Sequence, residues 1–315
     1  MPPDDMINPS ALIDAIRTEV AERRADGCVV AVSGGVDSAA VAALAVAAVG
    51  PDSVRAVHLP DCDTDPLSQQ LADELGRALG ITVEFFDITS ILDACGCYAA
   101  RDGVVRKYVP DYDPAHGWRF KLVLRGKLTE HRLPINTLVV LDPDDREVRY
   151  RLRSSDYRSL IGETNMKQRL RMMMTYRIAE TRNLVVLGTS NKVEIEQGFF
   201  VDHGDGTGHL LPLRHLYKAQ VVALASELGV PSGILARPPT TDTFPATQDQ
   251  SEFFFGLPYQ QTDLAWASFV GGETPQAAAS TLGLSVDESK AIFTHFQRRQ
   301  QQARRLGADV LQVAR

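Results

Sequence analysis

The chain is poor in cysteine, in positive charge and in long apolar runs, and each shortage removes a class of function. Its four cysteines are Cys28, Cys62, Cys95 and Cys97. They supply one CxC and no second pair, which is neither a disulfide framework nor a tetrahedral zinc pattern. Cys28 sits in an apolar run and reads as a core thiol, and a sulfur-carrier role for Cys95 and Cys97 has only their spacing behind it. Acidic residues outnumber basic ones, 40 to 33, for a net charge of −7. No global footprint for nucleic acid follows from that balance. No apolar run approaches the roughly 20 residues of a membrane span, and Met1-Pro2-Pro3-Asp4-Asp5 has no signal-peptide character. The expectation is a cytoplasmic protein whose partners are neither nucleic acid nor membrane. The lysine of a GxxxxGK[ST] phosphate loop is missing too, and there are no repeats or low-complexity segments. What remains is ordinary globular composition, with 315 residues to build one large domain or one domain with an insertion.

Ser33-Gly34-Gly35-Val36-Asp37-Ser38 is the most informative stretch. It follows the apolar run Cys28 to Val32, a buried strand by its pattern. It precedes the Ala/Val/Leu-rich stretch Ala39 to Val49, a buried helix. A strand, a Gly-Gly turn and a helix start aim several backbone N–H groups and the positive helix end at one point. Ser33 and Ser38 add hydroxyls, and Asp37 adds a carboxylate able to hold Mg²⁺ against phosphate oxygens. The plain alternative is a glycine turn with a serine cap; the match of all six positions in this context argues against it. The loop resembles the SGGxDS pyrophosphate loop of the ATP pyrophosphatases.

The rest of the pattern is that of a doubly wound α/β fold. Helical spacing over 10–24 precedes strand 28–32 and helix 37–49. Strands 54–59 and 83–88 flank a helix over 69–79, and helix 164–182 leads into strand 184–187. A helix over 216–228 closes at Gly229. Strands alternating with helices at this spacing give a parallel sheet. Residues 98–153 break the rhythm: 119–124, 137–141 and 147–152 look like strands, with a turn at Pro143-Asp144-Asp145. They read as a small antiparallel β insertion, so that 1–97 and 154–270 form the α/β core. A basic concentration in this insertion (Arg101, Arg106, Lys107, Arg119, Lys121, Arg125, Lys127) faces either an anionic ligand or, more simply, solvent. Residues 271–315 read as C-terminal helices, over 276–282 and 287–302.

Later segments supply what the first loop lacks. Asn165-Met166-Lys167-Gln168-Arg169-Leu170-Arg171-Met172 sets Lys167 and Arg171 on one helix face. Gly188-Thr189-Ser190-Asn191-Lys192-Val193-Glu194 follows a strand at its carboxyl end, where open α/β sheets bind ligands. Gly198-Phe199-Phe200-Val201-Asp202-His203-Gly204-Asp205-Gly206 is a glycine-rich loop bearing acids. Leu211 to Lys218 brings a lysine to a helix start, and Arg237-Pro238-Pro239-Thr240-Thr241-Asp242 is a rigid loop with hydroxyls. Taken singly, each is ambiguous. In this order they resemble the NAD synthetase family, the ammonia-dependent amidases of the ATP pyrophosphatase group, from about residue 28 to 262 apart from the insertion.

The resemblance implies that Ser33, Gly34, Gly35, Val36, Asp37 and Ser38 hold the ATP phosphates, with Thr189 against the nucleotide. It implies that Asp37 and Glu194 bind Mg²⁺ and that Lys218 and Thr240 steady the departing pyrophosphate. Asp37, Lys218 and Thr240 then carry the catalysis. Lys167, Arg171, Asp202 and Asp205 are the candidates to hold a carboxylate substrate. The implied chemistry adenylates that carboxylate, most naturally nicotinate adenine dinucleotide, and then amidates it with ammonia, free or from an external source. A homodimer is implied as well; the cluster Phe253-Phe254-Phe255 with Leu257 and Tyr259 suits a core or an interface equally by its composition, and the resemblance tips it to the interface. Two segments depart from the family pattern: Gln248-Asp249-Gln250-Ser251-Glu252, and the C-terminal Lys-Arg pair, whose nearest counterparts are His295, Arg298 and Arg299. The competing readings are amidation of another carboxylate such as nicotinate mononucleotide, a sulfur-inserting tRNA enzyme, and a non-catalytic nucleotide sensor.

Overall fold

A computed structural model describes residues 7–125, 135–241 and 243–306. Its strands in chain order are β1 (Gly27–Ala31), β2 (Val54–His58), β3 (Val83–Phe85), β4 (Arg119–Arg125), β5 (Ile135–Leu141), β6 (Glu147–Arg151) and β7 (Leu184–Leu187). Four of them form a parallel sheet in the order β3-β2-β1-β7, and β4-β5-β6 form a separate antiparallel sheet. Side chains alternate across the parallel sheet, as the two-residue period requires. Cys28, Val30, Val185 and Leu187 enter one core, and Val29, Val57, Leu184 and Val186 enter the other.

The first core is closed by the helix Val36–Val49, nine of whose residues are buried. Five of those nine are alanines, so the helix lies close on the sheet between the helices Pro9–Arg23 and Lys218–Glu227. A leucine at Ala42, fully buried here, would overpack this layer at a cost of about 1–3 kcal/mol. The second face is covered by the long helix Ser154–Thr181 with Cys97–Arg106 beside it. The two layers place the sheet's carboxyl edge, where β1 and β7 end, at the site.

Several sequence expectations shift in detail. The long helix begins at Ser154, ten residues before the expected start. Strand 83–88 is regular only to Phe85, although the Phe86 and Ile88 N–H groups still bond to the His58 and Pro60 carbonyls. The segment 98–153 opens with a helix, Cys97–Arg106, and its first strand starts at Arg119. Its described basic residues pair within the chain, with Arg101 buried while Arg106 and Lys107 remain exposed. Arg101 pairs with Asp63 and Asp102, Lys107 with Asp156 at 2.7 Å, Arg119 with Asp145, and Lys121 with Glu252 at 2.8 Å. Arg106 donates to the Tyr112 carbonyl. The side chain of Arg125 and the whole of Lys127 lie outside the described residues.

The C-terminal helices Pro275–Leu282 and Val286–Arg305 are joined through Gly283, which caps the first at φ 66. Their apolar faces meet Phe254, Phe255, Leu257 and Trp266 in a third core. The Phe253-Phe254-Phe255 cluster is therefore intramolecular packing: Phe254 and Phe255 are buried within the chain, and Phe199 stacks against all three rings. The interface read from it is corrected accordingly.

Candidate active site

β1 ends into the loop Ser33–Ser38 with a geometry that only glycine permits at position 34. Gly34 has φ +76, and a Cβ there would lie 2.6 Å from the Ser68 carbonyl oxygen. The serine hydroxyls shape the loop. Ser38 Oγ accepts the Ser33 N–H at 3.2 Å and donates to the Gly35 carbonyl at 3.0 Å. Gly35 caps the helix Val36–Val49 without any side-chain acceptor, which leaves the leading N–H groups for a bound anion.

Below this loop lies a cavity of ≈ 560 Å³. Ser33, Gly35, Val36, Asp37, Ser38, Thr189, Glu194, Lys218 and Thr240 all line it, so segments up to two hundred residues apart in sequence meet there. Gly34 sits behind the loop beside Arg237, whose guanidinium lines the cavity and donates to Ser68 Oγ at 2.9 Å. Arg237 is a candidate contact that the sequence reading passed over. Its signal was its place just before Pro238-Pro239-Thr240.

Asp37, Asn191, Glu194 and Lys218 form one ionic cluster. Lys218 Nζ bonds to Asp37 Oδ2, and Asn191 Nδ2 donates to Asp37 Oδ1 at 3.2 Å. Asn191 and Glu194 close a capping box on the helix Lys192–Gln197, which locks the Glu194 carboxylate in place. Burial, and then the neighbouring Asp37 charge, push the Glu194 carboxyl up to about 8. The pair lacks positive charge even with Lys218 beside it. Two facing carboxylates with that deficit fit a hard divalent cation such as Mg²⁺. The acid group Asp61-Cys62-Asp63 also packs its ligand atoms within 4.8 Å. It does not fit a cation, because Lys167, Arg171 and Arg101 already neutralise it.

That pairing relocates Lys167. Its side chain is 1% exposed, bonded to Asp61, Asp63 and the Thr243 carbonyl, and is not among the residues lining the cavity. Four helical residues later, Arg171 does line it, while donating to the Leu59 carbonyl at 2.8 Å and to Asp61 Oδ2 at 2.9 Å. Asp202 and Asp205 line it from the glycine-rich loop. Asp205 accepts the Val201 N–H at 2.7 Å, and burial raises its carboxyl to about 6. Asp242 lies outside the described residues.

Of the three C-terminal candidates, Arg299 reaches the cavity and Arg298 does not. Arg299 lies 3.6 Å over the Phe254 ring and donates to His295 Nε2 at 3.2 Å. Burial lowers it to about 10. Cys97 is buried with its thiol raised to about 11, and Cys95 is exposed. That environment gives no reactive cysteine pair.

A family model described as NAD synthase matches residues 9–105 and 133–306. The chain belongs to the NAD synthase family. The ammonia-dependent NAD(+) synthetase of Rhizobium rhizogenes is 41% identical over 90% of this chain and 84% of its own. That of Rhizobium meliloti is 39% identical over 92% and 86%. Among solved structures, an NMN synthetase from Francisella tularensis superposes with a TM-score of 0.61 at 23% identity, covering 94% of this chain and 96% of its own. An ammonia-dependent NAD synthetase from Campylobacter jejuni gives 0.60 at 20%, covering 95% and 94%. At those identities the likeness establishes the fold. Residues 106–132, which include all of β4, fall outside the family match.

Proposed function

We infer that this NAD synthase family member adenylates the carboxylate of nicotinate adenine dinucleotide with ATP and amidates it with ammonia. The products are NAD⁺, AMP and pyrophosphate. The observation that carries this reading is the convergence of the Ser33–Ser38 loop, Thr189, Glu194, Lys218 and Thr240 on one cavity. In the first step a carboxylate oxygen attacks the α-phosphorus and the bond to the bridging oxygen breaks, so pyrophosphate leaves. In the second, ammonia adds to the acyl carbon, loses a proton and expels AMP. A bare carboxylate has no usable leaving group, and adenylation supplies one. The protein's work is positioning and charge neutralisation.

The helix end at Gly35 and the Ser33–Ser38 loop take the phosphates, and Thr189 lies along the nucleotide. Lys218 and Thr240 meet the charge that collects on pyrophosphate, with Arg237 beside them. Asp37 and Glu194 would hold Mg²⁺, which supplies further neutralisation of the phosphate oxygens when bound. Arg171, Asp202 and Asp205 face the acceptor, and Arg299 offers it a cation. Lys167 supports Arg171 through Asp61. No helix of the described residues is long and apolar enough to cross a membrane. A cytoplasmic homodimer fed by free ammonia or by an external source is our reading of the assembly.

The test is direct: incubate the protein with ATP, Mg²⁺, ammonium and nicotinate adenine dinucleotide, with nicotinate mononucleotide as the competing acid. NAD⁺, AMP and pyrophosphate in equal amounts are expected, with the dinucleotide preferred. ADP and phosphate as main products would reject the cleavage, and preference for the mononucleotide would reject the acceptor.

A further inference from the structure

The inserted antiparallel sheet touches the cavity through an intermediary. β4 is an edge strand, with β5 on one side only. Its outer edge holds the segment 244–252. The Phe120 carbonyl accepts the Ala246 N–H at 3.1 Å, and the Leu122 carbonyl accepts Nε2 of the buried Gln248. Residues two apart on a strand present their carbonyls to the same edge, so both bonds serve one docking line. Between them Lys121 Nζ pairs with Glu252 Oε2 at 2.8 Å. Phe120 meets Phe244 edge to face, with centroids 5.8 Å apart, and Phe244 meets Phe253 at 5.4 Å.

The docked segment in turn carries the loop that lines the cavity. The Thr241 N–H donates to the Gln248 carbonyl at 3.1 Å, and the Gln250 N–H to the Pro239 carbonyl at 2.9 Å. Thr240 and Asp249 form an antiparallel bridge. Pro238, Pro239, Thr240 and Thr241 all line the cavity. A second anchor comes from the other side, where Lys167 Nζ donates to the Thr243 carbonyl at 3.2 Å from within its buried ion cluster. Edge strands are open to pairing, and this one is covered by the chain's own segment.

We propose that the inserted sheet is the mount of the phosphate-side loop: β4 positions Thr240 and Thr241 through Gln248 and the Lys121–Glu252 pair, and thereby sets the affinity for ATP. Gln248, Lys121 and Glu252 are positioning residues that touch no substrate. The proposal rests on the reading that Thr240 meets the pyrophosphate of ATP. All of β4 lies in the stretch the family model does not match, while β5, β6 and the docked segment 244–252 fall within the match.

Steady-state kinetics of the full chain, with ATP varied at saturating ammonium and dinucleotide and then ammonium varied, separates the effects. Gln248→Leu removes the bond to Leu122 and keeps an apolar side chain one atom shorter in its place. It should raise the KM for ATP about fivefold to tenfold, equal to about 1.0–1.4 kcal/mol. The KM for ammonium should stay within about twofold. Lys121→Glu should raise the ATP KM about threefold, and the exchanged pair Lys121→Glu/Glu252→Lys should recover at least half of that loss. Thr240→Val tests the underlying reading separately. If Thr240→Val raises the ATP KM while Gln248→Leu and Lys121→Glu leave it unchanged, the mount is wrong. If Thr240→Val itself has no effect, the loop reading falls first. Equal increases in both KM values, or lower melting temperatures with unchanged kinetics, would reduce the sheet to a purely structural element and overturn the proposal. Should Gln248→Leu fail to fold, the exchanged surface pair decides alone.

Discussion

Replacing Glu194 with glutamine should stabilise the metal-free protein and remove its turnover. In the folded chain this carboxyl is raised from 4.5 to about 8, by burial first and the Asp37 charge second, against the pull of Lys218 and the Asn191 N–H. The sign follows from linkage. A group whose folded pKa is raised leaves stability intact below about 4.5, and stability is lost progressively as pH climbs from 4.5 toward 8. Each pH unit of that span is worth about 1.4 kcal/mol at most. Sharing of the charge with Lys218 and with water at the cavity reduces the total, and we expect a gain of about 1–3 kcal/mol for Glu194→Gln at pH 8. The opposing effect is smaller. The variant gives up a negative charge at the start of the helix Lys192–Gln197, worth about 0.3–1 kcal/mol, while its amide oxygen still accepts the Asn191 N–H. Relief of the buried charge wins.

Urea unfolding in EDTA at pH 8 and again at pH 4.5 measures the effect. The gain should be present at pH 8 and absent at pH 4.5. Turnover with Mg²⁺ should fall by about 10²-fold or more, near 2.7 kcal/mol of transition-state stabilisation. No gain at pH 8, an equal gain at both pH values, or near-normal turnover would refute the reasoning.

Three further outcomes are expected. Asp263 is buried and accepts the Ala219 N–H at 2.8 Å at the start of the helix that carries Lys218. Asp263→Ala should cost about 1–2 kcal/mol and lower kcat/KM for ATP, while Asp263→Asn should recover most of the stability in thermal unfolding. His295 is buried beside Arg298 and Arg299, and its imidazole is lowered to about 3. Its contribution is complete above about pH 6.5 and is lost as pH falls toward 3, so the unfolding free energy of His295→Gln should decline less between pH 6.5 and 4 than that of the parent chain. Lys167→Met would leave the buried group of Asp61, Asp63 and Asp102 one positive charge short, with Arg171 and Arg101 as its remaining cations, a loss of about 3–5 kcal/mol; a raised KM for the acceptor with intact stability would instead restore Lys167 as a substrate contact.

What the sequence made legible is what local chemistry dictates. The loop Ser33–Ser38 could be read because a glycine turn between an apolar strand and an alanine-rich helix has few other uses. The parallel sheet could be read because β1 and β7 are continuous apolar runs, as strands buried on both faces must be, and β2 departs from that pattern only at Arg55 and His58. The Lys167 error arose because helical spacing assigns a face and says nothing about what that face meets. Lys167 and Arg171 do share a side, and Asp61 lies between them. The carboxylates that claim Lys167 sit about a hundred residues upstream, in a Pro-Asp-Cys-Asp turn with no periodicity to flag it. Residues 98–106 carry the same lesson: Arg101 looked like a surface charge, yet it is buried against Asp63 and Asp102. The aromatic cluster at 253–255 was ambiguous because burial against a helix and burial against a partner demand the same composition. Only the position of the helix Val286–Arg305 distinguishes them.

A chain with a net charge of −7 that binds polyanions must build its positive field locally. Several of its cations are unavailable for that task. Lys167, Arg101 and Lys121 are bonded to carboxylates away from the ligand, and Lys218 is already tied to Asp37. The field over the cavity therefore comes from the free helix end at Gly35, from Arg237 beside it, and from Arg169, Arg171 and Arg299 on the remaining walls. Two of these arginines are held by uncharged groups, Arg169 by the Asp202 carbonyl and Arg299 by the Phe254 ring, whereas Arg171 also pairs with Asp61 at 2.9 Å and Arg237 lies 3.8 Å from Asp65. A neutral partner fixes the geometry of a guanidinium without cancelling its charge. Burial lowers Arg299 only to about 10, so it stays protonated at neutral pH. A desolvated cation of that kind gains most from an arriving anion. The acidic total and the anionic substrate are thus reconciled by where the cations lie, with Arg169 and Arg299 kept uncancelled by neutral partners and the helix end at Gly35 beside them.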